Sequence, residues 1–158
     1  MVRNRSAPPC EVIPVVAYPD VAAAVAWLET ALGFRVRLRI GSHRAQMWFG
    51  SACLVAAETG ANNQWATRSS VMLRVQNVDA LCERAVKYGA RVVHAPQTHP
   101  YGERQATLED FAGHTWTLTQ TVEDVDPAAW GGEARWVQRY VPEFEKSWAH
   151  YARKVGRS

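Results

Sequence analysis

The sequence predicts an α+β domain in which two βαβββ modules form a curved mixed sheet around a cleft, followed by a helical C-terminal extension. Three observations carry this: an order of strand, helix and three strands that occurs twice, a matched pair of helix-cap and glycine signals, and a polar linker between the copies. With 158 residues, 47% apolar and 21% charged, the chain has the length and balance of one globular domain with a real core.

In the first copy, residues 11–17 are a short apolar run ended by Tyr18-Pro19-Asp20. Asp20 is a helix N-cap, because its carboxylate accepts from the free N–H groups of the first turn. Val21, Ala24, Val25, Leu28 and Leu32 recur at helical spacing, and Gly33 supplies the left-handed stop. Residues 35–40 alternate strictly, which predicts Val36, Leu38 and Ile40 beneath the helix and Arg35, Arg37 and Arg39 on the open side. Residues 45–49 and 53–57 supply two more strands. Edge protection by charge is the plainer explanation of the three arginines.

The same order then returns. Residues 71–75 form a strand, Asn77 caps a helix carrying Val78, Leu81, Ala85 and Val86, and Gly89 ends it. Strands follow at 91–95, 105–108 and 115–119, the last after the 110–113 turn. One copy cannot cover its own sheet, so the two share a core. The module boundaries are expected at 11–58 and 70–121, between a loose leader (1–10) and the extension (122–158). In that extension Asp126-Pro127 starts a turn, Gly131-Gly132 breaks it, and Phe144, Trp148, Tyr151 and Val155 make an apolar stripe that docks on the domain or on a partner.

Cys10, Cys53 and Cys82 are odd in number and show no paired spacing, so neither a disulfide framework nor a zinc site is expected. With no apolar run of membrane-spanning length and no signal core, the expected place is the cytoplasm. A net charge of +3 without a dense Lys/Arg cluster argues against nucleic acid as partner.

The stretches VIPVVAYPDVAAAVAWLETALGF (12–34) and PYGERQATLEDFAGHTWTLTQ (100–120) resemble the two modules of the vicinal oxygen chelate superfamily, which includes glyoxalases, bleomycin-resistance proteins and extradiol dioxygenases. The resemblance implies the fold, a cleft between modules, and frequent pairing as homodimers. It also implies four metal-ligand positions, which fall on Ile13, on Val55 or a neighbour, on Ser70 and on Thr117. Isoleucine and valine offer a metal nothing, so no metal and no cofactor are expected.

By strand parity Gln46, Trp48, Met72, Arg74 and Thr117 face the cleft, where an aromatic and apolar wall with a few polar groups suits a small molecule. Tyr101 and Arg104 fall where related proteins contact ligand, although Tyr101 is equally a turn residue. Arg74 or Arg104 would pair with a ligand carboxylate or phosphate. The expectation is a metal-free small-molecule binder for an apolar or aromatic, possibly anionic, ligand. Two alternatives stand beside it: a lyase, isomerase or dioxygenase with an atypical metal set drawn from His43, Glu58, His94, His99 and His114, and a non-catalytic partner-binding module. Loop and surface positions are the plainer reading of those histidines, and strand-exit solvent exposure that of Glu58.

Overall fold

Two asparagine-type caps set the plan of the chain. Asp20 accepts from the Ala23 N–H and Asn77 from the Ala80 N–H, each at 2.9 Å, and a helix follows each cap. The structure is a computed structural model describing residues 4–60 and 68–133. Module one runs β1 (Val15–Tyr18), α1 (Val21–Trp27), a π-helical turn (Leu28–Leu32), β2 (Arg35–Ile40), β3 (Arg44–Phe49) and β4 (Ala52–Glu58). Module two repeats it as β5 (Ser70–Arg74), α2 (Val78–Lys87), β6 (Arg91–Thr98), β7 (Glu103–Glu109) and β8 (Thr115–Thr121). Gly33 ends the first helical segment at a φ of 82°, a backbone conformation that side chains resist.

Each module is a four-stranded sheet, in the orders β1-β4-β3-β2 and β5-β8-β7-β6. The β1–β4 and β5–β8 pairs are parallel and the others antiparallel. The helix-side faces of both sheets feed one buried cluster, which includes Val16, Leu28, Met47, Leu54, Leu73, Val78, Leu108, Trp116 and Leu118. Phe34 of module one meets Trp116 of module two edge to face at 5.8 Å. The Trp27 indole donates to the Tyr88 carbonyl and Arg84 to that of Thr30, at 2.9 and 2.7 Å, so the two helical segments hold each other.

A buried polar knot also joins the modules. Asp110 accepts four hydrogen bonds: from Ala112 N–H (2.9 Å) and His114 N–H (3.0 Å) on one oxygen, and from the Tyr18 hydroxyl (2.9 Å) and Trp116 indole (3.0 Å) on the other. His114 Nδ1 accepts from Ser69 N–H at 2.9 Å, which places the ring proton on Nε2, facing the Ala17 carbonyl at 2.6 Å. Burial first, then the charge and hydrogen bond of Asp110, push the Tyr18 phenol above its ordinary value, so it stays a donor.

Three expectations change. The alternation of β2 breaks at Arg37: Val36 pairs with Met47 but Leu38 pairs with Gln46. This bulge flips the parity, so Leu38 and Ile40 share the open face with Arg37, while Arg39 pairs with Ala45 on the helix side. Cys10 and Cys53 are joined in a disulfide, with Cα atoms 6.1 Å apart, so cysteine pairing is present where none was expected. Residues 4–10, expected as a loose leader, lie against module one: Arg37 donates to the Arg5 carbonyl (2.8 Å) and Gln46 to that of Ser6 (2.9 Å). In the extension, Asp126 caps a 3-10 turn (Pro127–Trp130) closed by Gly131. The stripe from Phe144 to Val155 lies outside the described residues.

Candidate functional site

The faces of the two sheets turned away from the helices differ sharply in chemistry. Register makes Val15, Val55, Gln46, Cys53 and Trp48 of module one the counterparts of Met72, Thr117, Thr107, Thr115 and Glu109 of module two. Module one is covered there: Val55, Cys53 and Gln46 are 2%, 3% and 5% exposed although among the described residues no helix lies over them. The segment carrying Arg5, Ser6 and Cys10 lies against this face, bonded to Arg37, Gln46 and Cys53.

Module two presents a polar, open face. Thr107 and Thr117 hydroxyls meet at 3.2 Å, the Gln105 amide donates to Thr119 at 3.1 Å, and the Tyr101 hydroxyl donates to Gln105 at 2.9 Å. Glu103 lies at the centre and accepts from Thr119 (2.5 Å), Thr121 (2.6 Å) and Arg74 (3.3 Å). Burial raises the Glu103 carboxyl, but the Thr119 and Thr121 hydrogen bonds and the Arg74 charge outweigh it and hold the group below its ordinary value. Beside this network, His99 stacks on Tyr101 at 5.0 Å and Trp130 packs on Tyr101 at 5.5 Å, an aromatic rim supplied partly by the extension.

Between the modules lies a cavity of about 540 Å³. Its walls are mostly apolar, from Val12, Pro14, Phe34, Phe49, Leu54, Val71 and Leu73, with Cys53, Met72 and Arg74 at its margins. Arg74 is 60% exposed and makes its contacts to Glu103 and Thr121 through Nη1 alone.

The sequence-selected residues divide into three groups. Met72, Arg74, Thr117 and Tyr101 are gathered around the open face of module two. Gln46 and Trp48 lie on the open face of module one, Gln46 beneath the N-terminal segment and Trp48 with the Arg37 guanidinium 6.0 Å from its ring centre. Arg104 is on the other side of its strand, where it forms a bidentate pair with Asp79 of α2 at 2.6 Å. That hydrogen bond, more than the charge, holds the Asp79 carboxyl below its usual range. Sequence reasoning passed over Glu103, although Ala106 and Leu108 point to the core and so put odd-numbered residues of β7 on the cleft side.

Residues 12–118 match the family model described as Glyoxalase/Bleomycin resistance protein/Dioxygenase superfamily. The chain belongs to this superfamily. Among solved structures, TioX from Micromonospora sp. ML1 is similar at 30% identity, with 71% of this chain and 98% of that one covered and a TM-score of 0.63. A glyoxalase/bleomycin resistance protein/dioxygenase family enzyme from Burkholderia phytofirmans PsJN is similar at 20% identity, covering 69% and 96%, with a TM-score of 0.61. An uncharacterised protein of Mycobacterium bovis is 38% identical over 60 residues, and the matched stretch spans 40% of that protein's length.

The superfamily's metal was tested against the side chains at its four positions. Val55 is a hydrocarbon, Thr117 is bonded to Thr107, Ser70 starts β5, and Ile13 precedes β1. These residues do not fit a transition metal. Among the described residues, no three His, Cys, Asp or Glu side chains are grouped to hold one elsewhere. His114 has both ring nitrogens engaged, His99 is stacked, and Glu58 is exposed at the strand exit. No helix among the described residues is long and apolar enough to cross a membrane.

Proposed function

We propose that this chain binds a small organic ligand in the cleft between its modules, one with an apolar or aromatic body and an anionic group, without a metal at the superfamily's four ligand positions. The observation that carries the reading is the inter-module cavity: apolar walls large enough for a drug-sized molecule, with one guanidinium at the margin. Arg74 spends one nitrogen on Glu103 and Thr121, and its remaining N–H donors suit a carboxylate, sulfonate or phosphate. Glu103 then acts as a positioning residue, holding the guanidinium while the Thr119 and Thr121 hydroxyls fix its carboxylate.

The test uses 8-anilinonaphthalene-1-sulfonate, an aromatic anion, titrated against natively folded protein and followed by dye fluorescence. Saturable binding is expected at about one dye per chain. Met72→Glu, at an exposed wall position, should weaken it about tenfold or more. Arg74→Gln should weaken this dye while sparing neutral N-phenyl-1-naphthylamine. Unchanged affinity in both variants overturns the site, and stoichiometric zinc, nickel, iron or manganese after incubation and desalting overturns the metal-free part. Pairing as a homodimer in the cytoplasm belongs to the same reading. Val12, Val15 and Met72, which are 80%, 54% and 60% exposed, support the pairing, and sedimentation equilibrium tests it.

A further inference from the structure

We propose that residues 5–10 are a redox-latched strap that closes the module-one half of the cleft, and that reduction of Cys10–Cys53 opens it. The inference deepens the cleft-binding reading by giving that site a gate. The strap is held by the disulfide to β4, the Arg37 bond to the Arg5 carbonyl and the Gln46 bond to the Ser6 carbonyl, with the Cys10 sulfur 3.5 Å from the Ser51 carbonyl. It is bonded to Gln46 and Cys53, which with Val55, the register partner of Gln46, are each 5% exposed or less. Their module-two counterparts Thr107, Thr117 and Thr115 are only half-buried.

The strap is continuous with the candidate site. Cys53 and Val12 both line the cavity, so the disulfide lies at its wall and the chain leaving the strap borders its mouth. Lifting the strap would extend the cavity over Gln46, Arg37 and Trp48, adding an aromatic ring, an amide and a second guanidinium for an anionic aromatic ligand.

Without the disulfide, the strap is left with the Arg37 and Gln46 hydrogen bonds, the first at an exposed site, and a weak Cys10 thiol contact to the Ser51 carbonyl, against the entropy of ordering its residues. Opening needs a dithiol reductant. Its thiolate attacks the sulfur of Cys10, the less buried partner, and Cys53 leaves as a thiolate that takes up a proton. The second thiol of the reductant then displaces Cys10, and the reductant ends as its own disulfide after supplying two electrons and two protons. Thiol–disulfide exchange with a small-molecule disulfide recloses the latch.

The experiment is iodoacetamide labelling of the full chain, read at each cysteine by mass spectrometry, with buried Cys82 as internal reference. In the untreated protein Cys10 and Cys53 should stay unlabelled. In Cys10→Ser, Cys53 should label at least about tenfold faster than Cys82, and the dithiol-treated wild type should show the same rise, which covers the case of a variant that folds poorly. Cys53 remaining as slow as Cys82 in both overturns the strap, because the segment then stays in place unlatched. Labelling of Cys10 and Cys53 without reductant overturns the latch. Dye affinity for 8-anilinonaphthalene-1-sulfonate is measured in parallel. Fast Cys53 labelling with no dye binding upholds the strap and removes the site, whereas dye binding with slow Cys53 labelling removes the strap and leaves the site.

Discussion

Tyr18→Phe tests whether the Asp110 knot fastens the two modules. The substitution removes one oxygen from a wholly buried ring and leaves its packing on His114, at 4.9 Å between ring centres, unchanged. What is lost is a 2.9 Å hydrogen bond to a carboxylate that keeps three other donors. A hydrogen bond to a charged group contributes about 1.5–3 kcal/mol, and the remaining donors place the expected loss near the lower end, about 2 kcal/mol. For a domain of this size that corresponds to a fall in Tm of about 4–8 °C. Urea unfolding should show the lower midpoint with an unchanged m value, because the folded surface is the same. The pH dependence gives a second check. The raised Tyr18 pKa means that the unfolded chain loses this proton near the ordinary value of 10.0 while the folded chain keeps it. Its contribution is therefore complete below pH 10 and declines above, and Tyr18→Phe should lack that part of the alkaline loss. A change under about 0.5 kcal/mol with an unaltered alkaline limb would refute a fastening role for the knot.

Four further outcomes are expected. The Glu103 carboxyl is held below its ordinary value of 4.5, so its stabilisation is present above that value and lost as pH falls through and below it; Glu103→Gln should flatten the acid limb of a urea-midpoint profile. Cys10→Ser opens a bridge spanning 43 residues and should cost about 2–4 kcal/mol of unfolding free energy, read by comparing oxidised wild type with the variant. Gly102→Ala puts a Cβ 2.2 Å from the Glu123 carbonyl at a φ of +81°; the strain, roughly 1–3 kcal/mol, should also move the extension away from Tyr101, visible as a Trp130 fluorescence change. Arg104→Gln should leave dye affinity unchanged while Arg74→Gln lowers it, since Arg104 is committed to Asp79 on the helix side.

The fold was legible because the signals that set it are local and repeated. Asp20 and Asn77 cap as their residue types dictate, Gly33 takes its left-handed turn, and Trp116 is wholly buried. What escaped notice depends on contacts distant in the chain. No residue pattern in 35–40 announces the bulge at Arg37, because a shift of one residue leaves the alternation intact on paper while exchanging its faces. The Cys10–Cys53 pair joins a segment before β1 to β4, and connectivity of that kind is not encoded in cysteine spacing. Arg104 is the instructive case. Its family position suggested the cleft, whereas parity counted from Ala106 and Leu108 already put it under α2 and put Glu103 in its place.

The two modules share a plan but divide the work, and the division follows from which side chains face the cleft. A face carrying Val55 and Cys53 has little to offer water and is buried, and the segment before β1 is bonded to that face at Cys53, Gln46 and Arg37. A face of Thr107, Thr117, Gln105 and Glu103 satisfies itself by hydrogen bonds across neighbouring strands and can stay open. The cavity draws its walls from core-side residues of both modules, Phe34, Leu54, Val71 and Leu73 among them, which explains why they are hydrocarbon, and Arg74 is the one charged side chain among its described lining residues. A ligand entering there meets Met72 and Arg74 of β5 on one side and the strap-linked Cys53 of β4 on the other. Affinity should therefore respond to substitutions in β5 and to the redox state of β4, but not to the helix-side pair of Arg104 and Asp79.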